Sequence, residues 1–216
     1  MSIRLATGLP VDADGIQISP DYRNMVQFEL VLHDDGLTEQ EKVSEGLLLL
    51  YPGYSGEMDD NGNPCRIPED LEKAIQYLSW FYLRGHTPGQ GGRKSSSRAY
   101  DFEQDFGMIY AAFAQAYHIR LAECEYMHWW EFMTLLEGLP DTTLMARVMR
   151  WRTVDVSRMS KDERAHVMSM RKVFALKREH EPPLSAAEIE AQTKEKVKRR
   201  MEEVMKNAGR GNGKER

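Results

Sequence analysis

The sequence predicts an all-α protein of about seven helices in a compact bundle, with a short β element near the N-terminus. Three observations carry that expectation. Apolar residues recur at spacings of three and four through most of the chain. Ser, Thr and Asp stand ahead of these runs as N-cap candidates. Gly and Pro punctuate the gaps between them.

Val11, Ile16 and Ile18 alternate weakly and predict a short hairpin or an extended arm. Ser19-Pro20 reads as a helix start, with serine as N-cap and proline at the first helical position. The helix over 20–33 carries Met25, Phe28, Val31 and Leu32 on one side, and Gly36 breaks it. Thr38-Glu39-Gln40-Glu41 is a capping box, opening a helix to about Leu50 that Pro52 and Gly53 end. Residues 53–66, rich in Gly, Asn, Asp and Pro, form a loop. Pro68 opens a helix that buries Leu71, Ala74, Ile75, Leu78 and Phe81.

Residues 84–98 read as a flexible Gly/Ser linker. Asp101 is placed to cap a helix with the stripe Phe102, Phe106, Ile109, Tyr110, Phe113 and Tyr117. The next helix, about Ala122 to Glu137, is apolar on nearly all sides. Gly138 suits a left-handed cap and Pro140 prevents continuation. Asp141 and Ser160 cap two further helices, the second running to about Lys177. Ser185-Ala-Ala-Glu188 opens a mostly charged last helix, followed by a disordered tail. The regions are therefore an acidic helical part (1–83), the linker (84–98), an aromatic-rich helical core (99–180) and a charged helix with its tail (181–216).

The 216 residues are 41% hydrophobic and 29% charged, a globular balance long enough to bury a core. No run approaches 18 apolar residues, so no membrane span is expected. Met1-Ser2-Ile3-Arg4 lacks the apolar segment of a secretory signal. Two cysteines make no disulfide framework, which predicts a cytosolic address. The net charge of −5 hides a gradient, with 14 acidic and 4 basic residues in 1–70 against 9 basic and 4 acidic in 194–216. The acidic head argues against nucleic acid as a partner.

Catalytic, cofactor and metal sites are all expected to be absent. His118 and His128 stand ten residues apart with no evident third ligand. Cys124 has no base and orienting group around it in sequence, so it reads as a structural thiol on a helix. Gly89-Gln-Gly-Gly-Arg-Lys-Ser has the composition of a phosphate loop but not its order, because Arg93 precedes the lysine and no strand precedes the glycines. Trp129-Trp130 is the more informative pair. Adjacent helical residues diverge by about 100°, so either the helix is sandwiched or one indole reaches a partner. With Phe132 and Met133 these tryptophans are the partner-binding candidates. Eight methionines between Met108 and Met170 fit core filling or an adaptable helix-binding surface.

Tyr100-Asp-Phe-Glu-Gln-Asp105, Ile109-Tyr-Ala-Ala-Phe113, Gln115-Ala-Tyr-His-Ile119, Tyr126-Met-His-Trp-Trp-Glu-Phe132 and Leu136-Glu-Gly-Leu-Pro140 together resemble a family of small proteins from siphophages and Gram-positive prophages. Ile18-Ser-Pro-Asp-Tyr-Arg23 and the capped helix before Tyr51-Pro52 agree more loosely. The likeness spans about residues 15–180 and leaves out the linker and the charged last helix. Members are encoded among the tail genes, beside the tape measure, and are described as tail proteins or tail assembly chaperones. The resemblance implies a non-enzymatic chaperone that binds the tape-measure protein and keeps it soluble. It also implies action in the host cytoplasm, absence from the mature virion and possible self-association. The alternative is a structural minor tail protein retained in the virion. An enzyme has only the imperfect glycine loop and one thiol in its favour.

Overall fold

A computed structural model describes residues 8–59, 61–86 and 98–176. Among them are a two-stranded hairpin, seven α-helices and one 3-10 turn. The hairpin pairs β1 (Asp12–Ala13) with β2 (Ile16–Gln17) antiparallel. The helices are α1 (Tyr22–Leu32), α2 (Glu39–Leu50), α3 (Leu71–Tyr82), α4 (Phe106–Tyr117), α5 (Trp129–Glu137), α6 (Leu144–Thr153) and α7 (Lys161–Val173), with a 3-10 turn at Pro52–Ser55. The architecture is all-α with a small N-terminal β element. The 84–98 segment is described only at its two ends, and the charged helix and tail expected over 181–216 lie outside the described residues.

The expected capping box forms at α2, Ser160 caps α7 as expected with Glu163 completing a box there, and the Ser185–Glu188 candidate lies outside the described residues. Thr38 and Glu41 exchange bonds at the start of α2, and Ser160 and Glu163 do so at α7. Other helix starts differ from expectation, and at α1 tertiary bonds claim the backbone first. Asp21, not Ser19, caps α1. The Ser19 N–H is spent on the Leu50 carbonyl at 2.7 Å, and the Pro20 carbonyl accepts from Trp129 N–H at 2.8 Å. Asp70 caps α3, three residues after the expected start at Pro68. Asp101 instead caps a single turn, accepting from Gln104 N–H at 2.6 Å, and α4 begins at Phe106. Thr143, not Asp141, caps α6, and α7 ends at Val173 rather than Lys177.

The largest correction concerns α5, which starts at Trp129 rather than Ala122. His118 takes the left-handed conformation (φ 58°) and ends α4. The Arg23 guanidinium then donates to the carbonyls of Cys124 and Glu125, which are thereby withheld from helical partners. Cys124 accordingly sits in a loop, and Tyr126 is exposed. Gly138 has φ −85°, so no left-handed cap forms there.

In packing, α2 lies between α1 and α3, α1 touches α5, α5 touches α4, α4 touches α6, and α6 carries α7. Gly46 permits the close approach around α2. A Cβ there would lie 2.4 Å from a Phe28 ring carbon and 2.7 Å from Leu78. That contact offsets the roughly 1 kcal/mol a mid-helix glycine costs. Residues from both sides of 84–98 enter one core: Tyr22 of α1 stacks on Phe132 of α5 at 4.5 Å, and Phe132 stacks on Phe113 of α4 at 5.1 Å. Of the expected apolar stripes, Leu71 and Phe106 are instead exposed, at 54% and 62%.

Candidate functional site

His128, Trp129 and Trp130 form the joint on which the N-terminal helices meet α5. His128 caps α5, and its Nδ1 accepts from Trp130 N–H at 3.0 Å. Its Nε2 then carries the proton and donates to the Pro10 carbonyl at 2.9 Å. Burial pushes the imidazole below its ordinary value, against the opposing pull of the Pro10 bond and of Glu131. Both ring nitrogens are occupied, which leaves neither for a metal.

The two adjacent indoles diverge, yet both N–H groups reach the end of one helix. Trp129 Nε1 donates to the Tyr82 carbonyl at 3.0 Å, and Trp130 Nε1 donates to the Phe81 carbonyl at 2.7 Å. The last four carbonyls of a helix lack intrahelical partners, so α5 supplies side-chain donors to the open end of α3. Trp129 lies parallel to Tyr82 at 5.9 Å, and Trp130 meets Trp80 edge-on at 5.1 Å. The helix is sandwiched. Trp129, Trp130 and Phe132 are each 2% exposed and Met133 is 4% exposed, so these four residues spend nearly all their surface inside the chain's own core.

Two surface clefts flank the Trp80–Trp130 contact. One, of about 510 Å³, lies between the hairpin and α3. Its apolar lining includes Ile16, Ile67, Tyr77 and Trp80, and its rim carries Arg66, Asp70 and Lys73. The other, of about 370 Å³, runs beside α5, where Leu9, Trp130 and Leu135 meet Arg84, His86 and Glu131. Trp130 is thus the one nominated residue that lines either cleft.

Trp80 and Tyr77 escaped the sequence reading because they lie beside the main stripe of α3. Their signal is a second aromatic pair at a spacing of three. The Tyr77 hydroxyl donates to the Asp12 carbonyl at 2.7 Å and pins the hairpin over the cleft. Burial raises the Tyr77 phenol and pushes Tyr51 up to about 12, with Tyr54 and Asp14 adding to the Tyr51 shift. Both phenols therefore stay neutral donors across the ordinary pH range. The lining offers apolar walls, neutral hydroxyls and charged groups of both signs.

Among the described residues, no group of three or more His, Cys, Asp or Glu is arranged to hold a metal. None of the described helices is long and apolar enough to cross a membrane. The Cys124 thiol faces the Tyr126 carbonyl at 3.3 Å.

Comparison with curated proteins and with solved structures finds no match. A family model described as Bacteriophage Gp15 protein matches residues 5–176. The matched span holds every helix described above and ends where the described residues end. It covers most of the 216-residue chain, and the chain belongs to the Bacteriophage Gp15 protein family.

Proposed function

We propose that this phage protein is a non-enzymatic tail assembly chaperone, which binds helical segments of the tape-measure protein and keeps them soluble until the tail tube encloses them. The carrying observation is the pair of apolar clefts on either side of the Trp80–Trp130 contact in a protein of a phage family. An amphipathic helix recognised in a groove needs apolar walls for its anchors and a polar rim for orientation. The walls are held by the two indole bonds to α3 before any partner arrives, which lowers the ordering cost of binding. A long tape measure offers many such segments, so weak sites gain by multivalency. On this reading the protein works in the host cytoplasm and leaves before the virion is complete.

Coexpression with the tape-measure protein of the same phage, followed by affinity capture and light scattering, tests this. A soluble complex with several copies per tape measure is expected. Ile67→Asp, at a half-exposed position in the larger cleft, should reduce capture by about tenfold or more while circular dichroism stays unchanged. An insoluble tape measure, with this protein eluting alone, would sink the proposal. Stoichiometric presence in purified virions would assign it instead to the structural tail proteins.

A further inference from the structure

The folded body is electrically bipolar. Residues 8–59, which supply the hairpin, α1 and α2, contain eleven acidic and two basic residues. Residues 141–176, which supply α6 and α7, contain eight basic and four acidic ones. The packing runs α3, α2, α1, α5, α4, α6, α7, so α2 and α7 belong to separate parts of the succession.

The exposed faces of α2 and α7 match in chemistry and spacing. On α2, Glu41, Glu45 and Leu48 are all exposed and share one face, following the helical spacings of four and three. On α7, Lys161, Met168 and Lys172 are exposed and share one face, at spacings of seven and four. Each face holds one large apolar side chain, with Leu48 39% and Met168 50% exposed. Seven residues separate Glu41 from Leu48, and seven separate Lys161 from Met168. A parallel alignment of the two helices sets Leu48 against Met168 and Glu41 against Lys161 at once. An antiparallel one sets Leu48 against Met168 and Glu45 against Lys172.

We infer that copies of this chain associate head to tail, the acidic face of α2 on one copy docking on the basic face of α7 on the next. The two faces differ, so the contact is heterologous and can repeat along a row of copies. One pair of helix faces is a small interface, so each contact is weak and its charge component is open to salt. The association does not depend on chaperone activity, and its test contains no tape measure. Either reading can therefore fail without the other.

Sedimentation velocity of the full chain decides it. At about 50 mM salt the weight-average mass should rise above 24.9 kDa with concentration. It should return to one copy near 1 M salt, where the screening length is about 3 Å. Glu45→Lys with Leu48→Lys reverses one face, and Lys161→Glu with Lys172→Glu reverses the other. All four positions are exposed, and circular dichroism checks that each variant folds. Each variant alone should remain single, and a one-to-one mixture should regain the dimer because each supplies the face the other lacks. A wild-type chain that stays single at every concentration and salt would overturn the proposal. So would reversed variants that associate as the wild type does. A mixture that stays single would overturn the pairing of α2 with α7. Single copies whose basic face instead retains a polyanion such as heparin would assign α7 to an anionic ligand and equally reject it.

Discussion

Among the described residues two carboxylates are buried, and the regions around them treat them differently. Asp105, at the start of α4, faces the Arg152 guanidinium at the end of α6 in a two-point contact of 2.5 and 2.9 Å. The same guanidinium donates to the carbonyls of Ala99 and Phe174, at 3.1 and 2.8 Å. Glu29, on α1, meets the Tyr82 hydroxyl at 3.2 Å and a more distant Arg98 at 3.8 Å among the described residues. Burial raises the Glu29 carboxyl, against the smaller pull of Tyr82 and Arg98. It also raises the phenols of Tyr82 and Tyr100 beside it. Depth alone therefore does not decide how a buried acid behaves, since both are nearly inaccessible. A forked cation with its remaining donors satisfied makes a clasp between helices, whereas the acid set among phenols has its carboxyl raised by burial.

The aromatic surroundings of Glu29 should give the largest loss when broken. Trp129→Ala removes a fully buried indole, its stack on Tyr82 and its bond to the Tyr82 carbonyl. Urea unfolding should show a loss of about 5 kcal/mol, at the upper end for a large aromatic. A folded, equally stable variant would mean that α5 is not held against α3 as described.

The Arg152 clasp follows closely. Arg152→Met strands the Asp105 carboxylate in the core and should cost about 3–5 kcal/mol. Asp105→Leu combined with Arg152→Met should recover most of that, because a well-packed apolar pair replaces a buried ion pair at little cost. A double variant as unstable as the single one would show that the carbonyls of Ala99 and Phe174, left without their donor, matter more than the ion pair. Gly46→Ala comes next, with a loss of about 1–3 kcal/mol from overpacking against Phe28 and Leu78. If it were instead stabilising, as at an uncrowded helical glycine, the close approach of α1, α2 and α3 would be wrong.

How much of this was legible in the sequence divides along the same lines. The Thr38–Glu41 capping box, the Ser160 cap and the hairpin follow from local spacing, because every group involved lies within a few residues of its partner. The late starts of α1 and α5 do not. They depend on Ser19 meeting Leu50, on Pro20 meeting Trp129 and on Arg23 reaching the carbonyls of Cys124 and Glu125. The Asp105–Arg152 clasp spans 47 positions, and no local pattern announces it. At the site, the adjacent tryptophans declared a sandwiched helix or a partner-facing one without deciding between them. The deciding fact, that the open end of α3 accepts both indole N–H groups, is tertiary. Trp80 lies beside the stripe of Leu71, Ala74, Leu78 and Phe81, so the helical period of α3 does not single it out.

The pH dependence of stability separates the two carboxylate regions with the smallest perturbation. Because the folded state holds the Glu29 carboxyl above its ordinary 4.5, it favours the protonated form. The stability this contributes is complete below pH 4.5 and is lost as the pH rises through the raised folded value. His128 runs the other way. Its imidazole is held below its ordinary 6.5, so its contribution is complete above 6.5 and is lost as the pH falls through the lowered value. Glu29→Gln keeps an acceptor for Tyr82 and removes the charge that burial disfavours. It should gain on the wild type by an amount on the order of 1 kcal/mol at pH 8, with the advantage shrinking toward pH 4.5. The loss on the acid side, which belongs to His128, should remain. Urea midpoints measured across pH 4–8 check this. A Glu29→Gln variant that is less stable than the wild type at pH 8 would mean that Arg98 outweighs burial at Glu29, and the contrast with Asp105 would then be one of degree rather than of kind.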